Sequence, residues 1–190
     1  MLGKLPGFVG KALSRIRAGR QRLAIQDEAL AAPHAADLEL RSSTFRDHGP
    51  LPARYTSDGA GVSPPLTWSK VPPGTRSLVL VVEDADSPTP RPLVHAIATV
   101  DPHRHKLPEG ALSSADTADV KLGRNSFLGA GYTAPDPPPG HGPHRYVFEL
   151  FALDHMPRLE RRPGRSKIKS EMRGHIIGRG ALTAVYERHA

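Results

Sequence analysis

Three short polar clusters interrupt the apolar runs of this chain, and each holds side chains able to bind or exchange protons. The first is Asp84-Ala85-Asp86-Ser87-Pro88, which follows the apolar run 77–83 (SLVLVVE). On an extended strand, residues two apart point the same way, so Asp84 and Asp86 can share a face and build a local negative potential. The same residues also read as an aspartate-rich turn stopped by Pro88. The second is His95 inside 93–100 (LVHAIATV). An imidazole in an apolar strand must find a polar partner or bear a desolvation penalty, whether it serves a ligand or the core. The third is Gly142-Pro143-His144-Arg145-Tyr146. Alternation there places His144 and Tyr146 together, as an imidazole and a phenol able to line a pocket, and turns Arg145 to the other side as an ion-pair partner.

The elements that position these groups read mainly as strands. Residues 77–83 have the content of a strand buried on both faces, 93–100 form a second, and 146–153 (YVFELFAL) a third. Residues 38–43 alternate as a half-buried strand. Turn signals separate them, among them Asp47-His48-Gly49-Pro50, Ser57-Asp58-Gly59 and Pro72-Pro73-Gly74. Residues 108–142 show little periodicity, and 134–142 (APDPPPGHG) lack the backbone donors of an internal strand. Residues 166–177 are expected to be helical, with Gly178 and Gly180 as stops and 181–186 (ALTAVY) as a short last strand. No βαβ alternation is visible. The expected fold is therefore all-β in the main, a two-sheet antiparallel β-sandwich or barrel with one late helix.

Residues 1–36 read as an N-terminal extension and linker, and residues 37–190 as the domain. From Phe8 onward, Phe8, Val9, Ala12, Leu13, Ile16 and Leu23 recur at helical spacing, with Lys11, Arg15, Arg20 and Arg22 largely on other faces. Such a basic amphipathic helix could dock on the domain, remain disordered alone, or lie on an anionic membrane. Charge is uneven: residues 1–30 hold six Lys and Arg against two acids, residues 158–190 nine against three, and the middle is mildly acidic. Two solvated flanks would explain this, as would contact with an anionic surface.

Composition narrows the chemistry. The chain contains no Cys, which removes disulfides, thiolate metal sites and cysteine nucleophiles and is compatible with a reducing cytoplasm. No Gly-x-Ser-x-Gly elbow is present, and Ser87 sits before a proline in a turn, so no catalytic activity is expected. His103-x-His105 lies between Pro102 and Pro108 and no His-Glu-x-x-His pattern accompanies it, so no metal is expected. The Arg-rich stretch 158–173 has no interleaved aromatic residues, which speaks against specific nucleic-acid binding.

Taken together, these clusters resemble the phosphatidylethanolamine-binding protein family, and its bacterial, Raf kinase inhibitor-like branch in particular. The resemblance runs from about Leu38 to Tyr186. It includes Ser63-Pro64-Pro65-Leu66-Thr67-Trp68, Val71-Pro72 with Gly74-Thr75-Arg76-Ser77-Leu78, and Asp84-Ala85-Asp86-Ser87-Pro88. It continues through His95, Leu107-Pro108-Glu109-Gly110, Pro137-Pro138-Pro139-Gly140 and Gly142-Pro143-His144-Arg145-Tyr146. The resemblance implies two antiparallel sheets with a small anion pocket at one end, for phosphate or phosphoethanolamine-type head groups. By motif position it implies Asp84, Asp86, His95, His144 and Tyr146 as the lining, Pro135 at the rim and Tyr186 close by. It implies a binding protein that needs no cofactor, open to a regulatory role and to homodimer formation, or alternatively an inhibitor that meets a kinase or protease through its surface. Two departures bear on ligand choice: Ala96 stands where the family often has Trp, and Ala134 precedes Pro135 where Gly is usual.

Overall fold

The computed structural model describes residues 3, 5–113, 115–158 and 161–189. Residues 1, 2 and 4 of the basic N-terminal stretch thus lie outside the described residues. Among the described residues, ten strands form two sheets. In chain order they are β1 (Ala36–Asp37), β2 (Leu40–Arg41), β3 (Gly49–Pro50), β4 (Leu66–Trp68) and β5 (Ser77–Asp84), followed by β6 (Leu93–Val100), β7 (Lys106–Leu107), β8 (Val120–Leu122), β9 (His144–Leu153) and β10 (Ile176–Tyr186). The larger sheet runs β1-β10-β9-β5-β6-β8, with β3 also on β10, and the smaller runs β2-β4-β7. The expected antiparallel arrangement holds for the long strands, but β1 and β3 pair with β10 in parallel. Both are two-residue strands that reach β10 from distant loops, so hairpin geometry does not constrain their direction.

The two faces of the larger sheet meet different partners. One packs Leu78, Leu80, Val82, Phe148 and Leu150 into a core shared with Leu40, Leu66, Trp68 and Leu107 of the smaller sheet. The other packs Val79, Val81, Phe151 and Leu153 against Ile168 and Met172 of helix α2 (Arg165–Met172) and against Ala24 and Leu30. All eight residues of β5 are buried in consequence, as its uninterrupted apolar content implies.

Two expectations need correction. The helix expected over 166–177 ends at Met172, where Gly174 at φ +77° turns the chain. The following strand spans eleven residues rather than six, and Gly178 and Gly180 lie inside it. These glycines accommodate close neighbours. A Cβ on Gly180 would collide with the carbonyl oxygen of Leu38, and one on Gly178 would come within 3.1 Å of Pro72.

The N-terminal helix is also shorter than its apolar spacing suggests. It comprises α1 (Gly7–Leu13), after which Gly19 at φ +92° redirects the chain into single 3-10 turns. Phe8 and Ile16 of the expected apolar stripe are exposed, whereas Ala18, Leu23, Ala24 and Leu30 are buried. The segment docks through backbone hydrogen bonds from Ala18 to Ser87 O and from Gly19 to Ala85 O. Glu83 Oε2 accepts the Ala24 N–H at 2.7 Å, and Arg165 joins Glu83 to the carbonyl of Arg22. No helix among the described residues is long and apolar enough to cross a membrane.

Candidate functional site

A cavity of about 340 Å³ opens where β5, β6 and β9 meet the aperiodic loop. Its wall includes Asp84, His95 and Tyr146 from these strands, with Asn125, Phe127, Thr133, Ala134 and Asp136 from the loop. A wider depression of about 770 Å³ along residues 38–47 has more room, but its lining holds no unpartnered buried polar atom. The smaller cavity holds two.

A bulge positions His95. Val82 pairs with Ala96 and Glu83 with Val94, so His95 is passed over by the ladder. A bulge of this kind re-aims one side chain while the flanking residues keep their faces. Ala96 consequently points into the core shared by the two sheets, and of the two departures only Ala134 touches the cavity. The His95 ring is buried, with Nδ1 2.7 Å from the carbonyl oxygen of Thr133. A carbonyl only accepts, so Nδ1 carries the proton. Burial lowers the pKa of His95, against the opposing pull of Asp84, and in the neutral ring Nε2 therefore presents a lone pair. That nitrogen has no hydrogen-bond partner among the described residues.

The phenol oxygen of Tyr146 is likewise buried and unpartnered. Its ring meets that of His95 edge-on at 5.1 Å between centroids, and burial holds its pKa well above the ordinary value. A neutral hydroxyl and an imidazole lone pair thus lie buried on two side chains of the same cavity wall.

His144 does not line this cavity. It is fully buried, with Nδ1 2.8 Å from Asp84 Oδ2 and Nε2 2.8 Å from Nδ1 of His141. His141 Nε2 in turn lies 2.9 Å from the carbonyl oxygen of Leu13 and 3.2 Å from that of Ile16. Since those carbonyls only accept, His141 Nε2 donates, its Nδ1 accepts, and His144 donates to it. Burial, with the nearby His144 and Arg17, lowers the His141 pKa, in keeping with a neutral acceptor. A chain of polar groups therefore joins a cavity-wall carboxylate to the N-terminal segment.

Asp84 and Asp86 take different roles because β5 ends at Asp84. Asp86 turns away from the cavity, its N–H donating to Asp84 Oδ1 at 2.8 Å. Its carboxylate receives Arg145 Nε at 2.7 Å and Arg145 Nη2 at 2.6 Å, with Arg17 Nη1 at 3.0 Å. Burial alone would raise the Asp86 pKa, but Arg145 and then Arg17 bring it down to about 2. Arg145 is the ion-pair partner that the alternation implies. Pro135 does not line the cavity, although its neighbours Ala134 and Asp136 do. The Tyr186 hydroxyl donates to Asp58 and is also outside the wall.

Asn125 escapes sequence reasoning. Its side-chain oxygen accepts from the N–H groups of Phe127 and Gly129, while its nitrogen donates to Thr133 Oγ1 at 2.7 Å. This brace holds Leu128 at φ +65°, a conformation costly for a side chain with a Cβ, and sets Phe127 against His95. Nothing in the local sequence periodicity signals it.

The family model described as phosphatidylethanolamine-binding protein matches residues 41–187. The chain belongs to this family. Among curated relatives, it is 37% identical over 154 residues to a UPF0098 protein of Methanothermobacter thermautotrophicus, covering 80% of this chain and 99% of that one. It is 36% identical over 150 residues to a UPF0098 protein of Pyrococcus horikoshii, covering 77% and 75%. Among solved structures, a putative phosphatidylethanolamine-binding protein homologue from Chlamydia trachomatis aligns with a TM-score of 0.73 at 34% identity, covering 82% of this chain and 99% of that one. YbcL of Escherichia coli, described as a member of the mammalian family, gives 0.74 at 28%, covering 80% and 99%. Matched relatives of this phosphatidylethanolamine-binding protein family member thus include archaeal and bacterial proteins, which broadens the bacterial branch expected from the motifs.

Proposed function

We propose that this domain is a non-catalytic binding protein whose cavity takes a small phosphate or phosphoethanolamine-type head group between His95 and Tyr146. The observation that carries the reading is the pair of buried polar atoms, His95 Nε2 and Tyr146 Oη, that have no partner among the described residues and belong to side chains of one cavity wall. Buried polar groups are otherwise satisfied in folded proteins, so a ligand with complementary groups is the economical explanation. The family description points to the same class of head group.

The chemistry narrows the ligand's protonation. Asp84 and Asp136 stand in the wall, and neutral His95 offers a lone pair rather than a donor. A fully ionised phosphate would meet two carboxylates and an acceptor. A phosphate that keeps one proton can donate it to Nε2 and accept from Tyr146. Alternatively, the ring takes up a proton as the anion binds. Both routes tighten binding as pH falls through the histidine range. An ammonium group would sit well beside the two carboxylates.

The test is a phosphorus and proton NMR titration of the purified chain with phosphate and with phosphoethanolamine at two pH values. The expected result is saturable binding that strengthens at the lower pH and is lost in His95→Gln. Binding that persists in both His95→Gln and Tyr146→Phe would place the ligand elsewhere.

The basic N-terminal segment supplies a second surface. Its exposed Phe8 and Ile16, beside Lys11 and Arg15, suit contact with an anionic membrane.

A further inference from the structure

At the far end of β9 from the cavity, three potential ligands meet on paired backbones. β9 ends at Leu153 and β10 begins at Ile176, and these two residues pair across the sheet. The next residues outward, Asp154 and His175, therefore face each other, with the Asp154 N–H donating to the His175 carbonyl at 3.1 Å. His155 follows, its carbonyl held by the Ser77 hydroxyl at 2.8 Å. One donor atom from each of Asp154, His155 and His175 lies within 4.8 Å of the others.

We propose that this junction binds one first-row divalent transition-metal ion of the zinc type, with His155 and His175 as nitrogen ligands and Asp154 as the oxygen ligand. Three observations support the assignment. Asp154 Oδ1 and His175 Nδ1 are 2.8 Å apart, and an ion can replace the proton between them with a small widening. His155 Nδ1 is buried and has no hydrogen-bond partner among the described residues. The two imidazoles already lie together, 3.9 Å between centroids and tilted by 32°, so little movement is needed to bring both to one ion.

Two imidazoles and a carboxylate are donors suited to zinc, nickel or copper rather than to magnesium or calcium. Metal–ligand bonds of about 2.0–2.2 Å in a tetrahedral set place donors roughly 3.4 Å apart. The present spacing closes to that by rotation of the half-exposed His175 and Asp154 side chains, whose backbones stay paired. Glu171 stands alongside, with Oε2 3.8 Å from His155 Nε2. It adds negative charge, partly balanced by Lys167 at 2.7 Å. An ion here would tie the C-terminal end of α2 to the ends of β9 and β10.

Cobalt(II) tests this in the untagged chain, because its visible absorption reports nitrogen and oxygen coordination directly. The expected result is a band that saturates at one equivalent and is abolished by added zinc. Asp154→Asn and His175→Ala should each weaken cobalt binding at least tenfold, while His103→Ala, at a surface His remote in sequence, leaves it unchanged. Circular dichroism confirms that each variant is folded. His155→Ala serves as a third variant where it folds. No band at equimolar cobalt, saturation only in large excess, or a band that survives both Asp154→Asn and His175→Ala would overturn the proposal.

Discussion

Tyr146 shows how one atom can matter little to the fold and much to a ligand. Its hydroxyl is buried without a partner among the described residues, so Tyr146→Phe removes an unsatisfied group and leaves the ring packing intact. Urea unfolding should change by under about 1 kcal/mol, or shift toward greater stability. A hydrogen bond to a charged ligand contributes about 1.5–3 kcal/mol, so the same variant should lose roughly tenfold or more in head-group affinity. A large loss of stability together with unchanged affinity would contradict this role. Asp84, His95 and Tyr146 were legible in the sequence because each interrupts or borders a strong strand. Alternation gives His144 the face of Tyr146, but it does not show that Asp84 and His141 occupy both ring nitrogens. Asn125, Thr133 and His141 were illegible because loop residues act through turns and long-range contacts that leave no period.

At the scale of elements, the late glycines are the instructive case. In sequence, Gly178 and Gly180 look like helix stops, and only the approach of a second backbone shows why a strand needs them. Gly180→Ala should destabilise the domain by about 1–3 kcal/mol, because the added methyl must displace the Leu38 carbonyl. Gly178→Ala, facing Pro72 and Ala152 side chains at 3.1–3.3 Å, should be milder. Equal losses in chemical denaturation would argue that strand propensity, not the close approach, governs both positions. The strands β5, β6 and β9 were legible almost to the residue through their apolar content. The strand read over 38–43 shortens to β2 (Leu40–Arg41), and the two-residue strands β1, β3 and β7 were not legible, since their pairing depends on which distant strand they reach.

For the whole molecule, the layer formed by α2 and the N-terminal segment closes over two acids. Glu83 and Glu149 are both buried. Burial raises the pKa of Glu83 even with Arg165 beside it. Burial, and then the charge of Glu83, raise that of Glu149 well above the ordinary value. A carboxyl whose folded pKa is raised favours the folded state below its unfolded pKa, and that advantage is lost as pH rises through the folded value. Stability should therefore decline from the ordinary glutamate range upward. Glu149→Gln should flatten that decline and stabilise the domain by about 1–3 kcal/mol near neutral pH. Thermal melts across pH for both chains would check this, and an unchanged slope would locate the titration elsewhere. The burial of Glu83 is also why the N-terminal segment cannot be treated as a loose appendage: the Ala24 N–H bonds its carboxylate, and the Arg22 carbonyl holds the Arg165 that pairs with it.

The line of groups from Asp84 through His144 and His141 to the carbonyls of Leu13 and Ile16 has one further consequence. A Grotthuss wire conducts because every member can both release and receive a proton, whereas amide carbonyls at one terminus do neither on any ordinary timescale. The line is therefore an insulator at its N-terminal end. It can transmit orientation between the cavity wall and the first helix, but proton current cannot leak through it to the outer surface.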